Sequence, residues 1–178
     1  MKKYFVLLII SCMIEICGCS LGVKTDESGR IGGRAYVDLG LSSGLLWATC
    51  NIGANQPSDN GGFSTWENAN NNPIYGDDWR LPSIQDYNEL IIECKWEWSF
   101  FSKGYVITGP NGNKMFLPAA GVSGSSVGEL GYYWASEDAK ALSFSSSYYK
   151  IDAFDKSLGR SIRPVHNAIV SDLILPEF

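Results

Sequence analysis

The sequence predicts an α+β domain in which one amphipathic helix lies against antiparallel β-sheets. One observation behind this prediction is a helix-start signal at Ser83 that leads into a single apolar stripe. A second is a series of short runs of β-branched and aromatic residues bounded by glycine, proline and asparagine. A third is the pair Asn111-Gly112, a strong hairpin signal because both central residues of the favoured turn need positive φ.

The main helix is predicted over about residues 83–94. Pro82 keeps the residue before it out of the helical region, Ser83 can cap the first free amides, and Asp86 stands at the capping-box position. Polar side chains recur on the face opposite the apolar stripe, so we expect Glu89 to be solvated. The residues expected in the core are Trp79, Leu81, Ile84, Tyr87, Leu90 and Ile91.

Strand candidates lie before and after this helix, and turn residues separate them. A short helix capped by Ser64 is expected over residues 64–72. Residues 119–131 are rich in glycine and serine and indicate a long mobile loop, unless a ligand orders it. Two hairpins are predicted, from residues 35–39 with 45–52 and from residues 105–108 with 114–118. The later strand candidates are residues 132–136, 140–145, 148–152 and 160–165.

The N-terminus has the pattern of an export signal over residues 1–18, with a basic start and an apolar run too short to span a membrane. Residues 16–19 resemble the lipobox of bacterial lipoproteins, so Cys19 is the predicted site of lipid attachment. An ordinary signal peptide cut nearby is the alternative. Residues 19–34 are polar and contain glycine, and they are predicted to be a flexible tether.

Charge and residue inventory exclude several classes of function. With 19 acidic and 14 basic side chains the net charge is -5, which argues against nucleic acid as a partner. His166 is the one histidine of the sequence and has no conspicuous nucleophile beside it, so no catalytic triad is expected. The cysteines left after processing are too few for a metal cluster, and the isolated Asp152 and Asp155 do not argue for calcium. We expect no catalytic residue, metal or cofactor.

Cys50 and Cys94 are the thiols that the processed chain keeps besides Cys19. An export compartment permits a disulfide between Cys50 and Cys94, and closing this loop would contribute about 4 kcal/mol in the chain-entropy model. Two buried free thiols are the alternative. The sequence leaves both possibilities open.

Several blocks of sequence, in this order, resemble the Fibrobacter succinogenes major paralogous domain. The resemblance implies a C-type-lectin-like fold, similar also to formylglycine-generating enzymes, and it fits the lipoprotein interpretation. It implies no known biochemical activity, and the late cysteine pair of the formylglycine-generating enzymes is missing here. The blocks are Val-Asp-Leu-Gly-Leu at 37–41, Leu-Trp-Ala-Thr-Cys-Asn-Ile-Gly-Ala at 46–54, Trp-Arg-Leu-Pro-Ser at 79–83, Asn-Gly at 111–112 with Phe-Leu-Pro-Ala-Ala-Gly at 116–121, Gly-Tyr-Tyr-Trp-Ala-Ser at 131–136 and Ser-Ile-Arg-Pro-Val at 161–165.

The expected protein is a binding module that its lipid holds on the cell envelope, at the outer membrane and exposed at the cell surface. Its folded domain is predicted over residues 35–166, followed by an extension of no assigned role over residues 167–178. The expected partners are the membrane, through the anchor, and a glycan or an envelope protein. An extracellular polysaccharide-acting enzyme and a structural part of a surface assembly are the alternatives.

Aromatic residues late in the chain form the candidate ligand surface, since the lectin-like resemblance implies ligands on long excursions there. A strand alternates its faces, so Tyr133 should point away from its two neighbours, and Tyr148 and Tyr149 cannot both be core. The alternative is that these aromatic residues pack under the glycine-rich loop and form no ligand surface. The residues of this candidate surface are Tyr132, Tyr133, Trp134, Tyr148 and Tyr149.

Overall fold

A computed structural model of the chain describes residues 25–71, 75–76 and 79–167. The predicted signal peptide, the predicted lipid site Cys19 and residues 168–178 lie outside the described residues. The helices are α1 (Trp66–Asn71) and α2 (Ile84–Glu93). The strands are β1 (Gly29–Ile31), β2 (Arg34–Asp38), β3 (Leu46–Ala48), β4 (Trp79–Arg80), β5 (Lys95–Ser99), β6 (Gly104–Thr108), β7 (Lys114–Pro118), β8 (Gly131–Trp134), β9 (Lys140–Ser145), β10 (Tyr148–Ala153) and β11 (Val165–His166).

These strands form three sheets, and the strands pair antiparallel throughout the part of the chain that is described. The strand orders are β1-β2-β3-β11-β4, β5-β6-β7 and β10-β9-β8. The fold is therefore mostly antiparallel β with two short helices, as the sequence predicts at this level.

Helix α2 begins with the predicted capping box. The hydroxyl of Ser83 accepts a hydrogen bond from the amide of Asp86 at 3.1 Å, and the Asp86 carboxylate accepts one from the Ser83 amide at 2.6 Å. Arg80 donates to the same carboxylate at 2.6 Å. Burial alone would raise the pKa of Asp86, but these hydrogen bonds and the charge of Arg80 hold it below its usual value.

Glu89 lies on the face of α2 opposite the apolar stripe, as predicted, and its partly exposed side chain also binds a turn that is distant in the sequence. Its carboxylate accepts hydrogen bonds from the amide and the hydroxyl of Ser43, at 2.8 and 2.7 Å. Glu93 accepts another from the amide of Ser42 at 2.9 Å. The polar side of α2 therefore holds the turn before β3, and helix periodicity could not reveal partners that lie 46 and 51 positions away in the sequence.

Strand β11, the last of the described strands, lies inside the five-stranded sheet. Val165 pairs with Trp47 of β3 on one side and with Arg80 of β4 on the other. Of the strand predicted over residues 160–165, only the last residue belongs to β11. Ser161 instead makes an isolated bridge to β8, so this segment crosses from one sheet to another.

Part of the predicted tether is folded. Strands β1 and β2 form a hairpin whose turn residues, Gly32 and Gly33, have φ angles of 56° and 79°. A Gly-Gly pair is a signal for this turn, and the flanking strands are too short and polar to show alternation. Further upstream, the Asp26 amide donates to the carbonyl oxygen of Lys114 on β7 at 2.9 Å.

The two predicted hairpins are confirmed, because β2 pairs with β3 and β6 pairs with β7. The second has a longer connection than a two-residue turn, and within the Asn111-Gly112 pair only Gly112 has positive φ, at 88°. The side chain of Asn111 donates to the carbonyl oxygen of Asp38 at 2.9 Å, so the connection is fixed against the end of β2.

The core consists of two apolar clusters. In the larger one, α2 packs on β3, β8 and β9; the smaller one lies beside α1. Of the residues predicted for the core, four are buried and two are partly buried. The buried ones are Trp79, Leu81, Tyr87 and Leu90, and the partly buried ones are Ile84 and Ile91.

Replacing Leu90 by Ala should lower the free energy of unfolding by about 2–5 kcal/mol, because the side chain has no exposed surface and its removal leaves a cavity. Asn88→Ala, on the exposed face of the same helix, should change it by less than about 0.5 kcal/mol. Urea unfolding of the two variants measures both values. Equal effects would contradict the burial of this helix face.

Candidate functional site

Two of the five residues of the predicted ligand surface are buried. Tyr133 and Trp134 have no exposed surface. The Tyr133 hydroxyl donates to the carbonyl oxygen of Pro118 at 2.7 Å, and the Trp134 ring nitrogen donates to that of Ser64 at 2.7 Å. Burial raises the pKa of Tyr133 to about 12. Including these two residues in a ligand surface was therefore wrong, because β8 is covered on both faces.

Tyr132 is partly exposed on the face of β8 opposite Tyr133. Its ring meets Phe154 edge-on, with centroids 5.3 Å apart, and the guanidinium of Arg160 lies 5.6 Å from its centroid. Tyr132 therefore takes part in the packing around Arg160 while its ring stays partly exposed.

Tyr148 and Tyr149 are exposed on strand β10, each with 38% of its surface accessible. As neighbours on a strand, they point to opposite faces of the sheet. Tyr149 stacks on Trp96 of β5, with ring centroids 4.7 Å apart and an interplanar angle of 26°. Tyr105 meets both rings edge-on from below, at 5.7 and 5.3 Å. We refer to Trp96 and Tyr149 as the aromatic wall.

The glycine-rich loop over residues 122–130 is folded on itself. Val122 and Ser125 exchange backbone hydrogen bonds of 3.0 and 2.8 Å, and the amide of Ser123 donates to the carbonyl oxygen of Gly159 at 2.8 Å. Backbone hydrogen bonds within the loop and to residue 159 therefore define its path.

A second concave region, absent from the sequence predictions, lies between the β1–β2 hairpin and the residues that follow β3. We refer to it as the Arg34 cleft, and its volume is about 680 Å³. This volume is within the range of small-molecule sites. The lining residues are Thr25, Glu27, Arg30, Gly32, Gly33, Arg34, Ala35, Thr49, Cys50, Asn51, Gly53, Ala54, Asn55 and Pro57.

Arg163 supports the floor of this cleft and is completely buried. Its guanidinium donates four hydrogen bonds, all of them to protein oxygens on β7 or around the end of β3. The acceptors are the side-chain oxygen of Asn51 at 2.9 Å and the carbonyl oxygens of Ala48, Thr49 and Phe116 at 3.1, 2.7 and 3.1 Å.

Burial lowers the pKa of Arg163, and neutral groups surround the guanidinium, since the groups that act on it include Tyr133, Cys50 and Tyr87 but no carboxylate. Asn51 extends the network, because its amide nitrogen lies 3.1 Å from the Tyr133 hydroxyl and 2.9 Å from the carbonyl oxygen of Asn60. The cleft floor is therefore fixed by a continuous set of buried hydrogen bonds.

The possible disulfide between Cys50 and Cys94 is not formed, and both thiols are free. Cys50 follows β3, whereas Cys94 follows Glu93, whose carboxylate binds the Ser42 amide ahead of β3. The cysteines thus lie beyond opposite ends of β3, while a disulfide needs Cα atoms within about 7 Å. Burial, with the charges of Glu93 and Glu89, raises the pKa of Cys94 to about 12.

Within residues 25–71, 75–76 and 79–167, no group of His, Cys, Asp and Glu side chains is arranged to hold a metal ion. His166 packs edge-on against Trp79, with ring centroids 5.5 Å apart. In the same residues, none of the helices has the length and apolar character needed to cross a membrane.

Comparison with models of protein families, with curated proteins and with solved structures gives no match. The site is therefore described from its own geometry. Sequence reasoning missed Trp96 of the aromatic wall and Arg34 of the cleft. Trp96 had a usable signal, since Trp96 and Trp98 alternate with charged residues as on a half-buried strand. Arg34 had no such signal, because its surroundings, Trp79 and the walls of the cleft, come from residues that are distant from it in the sequence.

Replacing Arg163 by Met should lower the free energy of unfolding by about 3–5 kcal/mol, because it leaves four buried oxygen acceptors without their donor. Arg30→Met, at a side chain with 61% of its surface exposed, should cost less than about 1 kcal/mol. Urea unfolding compares the two. A loss below about 1 kcal/mol for Arg163→Met would show that the network contributes little.

Proposed function

We propose that this protein is a lipid-anchored binding module of the cell envelope, with a lectin-like scaffold that presents the aromatic wall to a glycan. Anchoring at the outer membrane through Cys19, with the domain exposed at the cell surface, is part of the proposal. The N-terminal signal pattern supports the anchor, and the blocks between residues 37 and 165 support the lectin-like scaffold through their resemblance to the Fibrobacter succinogenes major paralogous domain.

The observation that carries the proposal is the stacking of Tyr149 on Trp96 at the surface. Flat, accessible rings suit the apolar faces of sugars, and the tyrosine hydroxyl adds a polar handle. Tyr105 and Phe144 pack edge-on beneath, with centroids 5.4 Å apart, so the wall is supported from the core. A ring that is already fixed loses little conformational entropy when a ligand binds.

The end of the sheet that carries the wall also carries the folded loop. Gly131, which follows the loop over residues 122–130, pairs with Phe144 of β9, and Phe144 pairs with Tyr149. Loops and fixed rings at one end of a sheet are a common arrangement for binding. This neighbourhood supports the wall as the ligand surface.

Metabolic labelling with a fatty acid should mark the native full-length protein and leave the Cys19→Ala variant unlabelled, since Cys19 is the proposed acylated residue. Two or more acyl chains give stable membrane attachment, so the variant should also leave the membrane fraction. Cys94→Ala is the control and should be labelled like the native chain. Equal labelling of the Cys19→Ala variant would contradict the anchor.

On a glycan array, Tyr149→Ala should weaken binding of the recognised glycan roughly tenfold, because it removes half of the stacked pair. Tyr148→Ala is the matched control, since it removes the same side chain, with the same 38% exposure, from the opposite face of β10. Its effect should stay below about twofold. Urea unfolding verifies that both variants are folded. A native protein that binds no glycan, or equal losses in both variants, would contradict the proposal.

A further inference from the structure

The two arginines of the Arg34 cleft differ in their partners. Arg30 pairs with Glu27, with its Nε 3.0 Å from the carboxylate, and donates to the carbonyl oxygen of Gly33 at 3.2 Å. Arg34 makes no such pair with a carboxylate among the described residues, and its Nε is buried without a hydrogen-bond partner. The cleft thus contains one compensated and one uncompensated cation.

Within the described part of the chain, the surroundings of Arg34 do not supply a negative charge. One side of its guanidinium lies against Trp79, 5.5 Å from the ring centroid. Burial lowers the pKa of Arg34, and the groups that counteract this are Cys50 and Tyr75, neither of which is a carboxylate. Burial also raises the pKa of Tyr75, to about 12, so its hydroxyl stays neutral at pH 7. Arg34 is partly exposed, so solvent reaches it from the cleft, and a carboxylate ligand would supply the charge partner that the described residues lack.

Arg160 has a guanidinium whose positive charge is stabilised by other groups of this protein. Its Nε is also buried and unpartnered, but another guanidinium nitrogen donates to the carbonyl oxygens of Asp155 and Leu158 at 2.7 and 3.2 Å. Its guanidinium also lies 4.3 Å from the ring centroid of Trp134. Arg160 therefore has structural partners, whereas Arg34 opens into a cleft.

The mouth of the cleft is open at the β1–β2 turn. A Cβ atom added to Gly33 would meet no heavy atom within 4 Å, so nothing fills the space outside this turn among the described residues. The described lining also carries hydroxyl, amide and carboxylate groups. Residues that carry these groups include Thr25, Glu27, Thr49 and Asn55.

We propose that the Arg34 cleft binds an acidic sugar residue of the uronate class, with the sugar carboxylate on the Arg34 guanidinium. A planar guanidinium matches a carboxylate through two parallel hydrogen bonds, which a neutral hexose cannot offer. Neighbouring hydroxyl, amide and carboxylate groups suit the ring hydroxyls of a sugar, and the described lining residues include no large apolar side chain for a peptide residue. This site is separate from the aromatic wall and stands independently of it.

The experiment measures binding of each probe to the chain from Ser20 to Phe178 by isothermal titration calorimetry and by the shift in its thermal unfolding temperature. The probes are galacturonate, galactose, inorganic phosphate and N-acetylaspartate. Galacturonate should bind at least tenfold more tightly than each of the other three, and it should raise the unfolding temperature by mass action. Equal binding of galactose, of phosphate or of N-acetylaspartate would overturn the uronate assignment, as would the absence of binding.

Variants then locate the site. Arg34→Met should remove the preference for galacturonate over galactose, while its unliganded unfolding temperature should not fall, because an uncompensated charge is lost. Lys150→Met, which removes the same unit of charge on exposed β10, should keep the preference within twofold. Tyr149→Ala should keep it too, which separates this site from the aromatic wall. A preference that survives in a folded Arg34→Met protein would overturn the proposal.

Discussion

The burial of Arg163 is the constraint on which the arrangement of the sheets depends. Among the described residues its guanidinium has no carboxylate partner, and the cation is stabilised by carbonyl and amide oxygens from separate parts of the chain. The end of β3 and the middle of β7 supply these oxygens, and Asn51 links the network to Tyr133 on β8. Four separate segments of the described chain contribute to this network, because residues 48–51, Phe116, Tyr133 and Arg163 each supply the cation or one of its neighbours. Their spacing along the chain thus has a physical reason.

Three arginines of the described chain, Arg163, Arg160 and Arg34, have different surroundings. Arg163 meets oxygen acceptors on all sides, and Arg160 is held between aromatic rings and two carbonyl groups. Arg34 has an aromatic ring on one side and an open cleft on the other. The first two settings stabilise the fold, because the cation is compensated within the chain. The third leaves part of the compensation to solvent or to a ligand, which is how a binding residue differs from a structural one.

Local features were predictable from the sequence and distant partnerships were not. The start of α2 followed from Ser83 and Asp86, since a capping box needs only neighbouring residues. The short helix α1 was predicted one residue too early, because the Thr65 hydroxyl, and not that of Ser64, accepts from the helix. The role of Glu89 depends on a turn elsewhere in the chain, and so did not show in helix periodicity. Among the candidate site residues, Tyr149 was found from composition and alternation, whereas Arg34 was missed because its setting exists only in the folded chain.

Strand β11 has a consequence for the order in which the protein can fold. It is the last strand of the described chain, yet it lies between β3 and β4, so until residue 166 is available these strands have no partner between them. Arg163 lies two residues before β11, so it becomes available for folding at about the same stage as that strand. A growing chain therefore cannot complete this sheet from its N-terminal part, and contacts across more than 110 positions must close the domain. The five-stranded sheet therefore depends on β11, and the strands on either side of it remain unjoined until that segment docks.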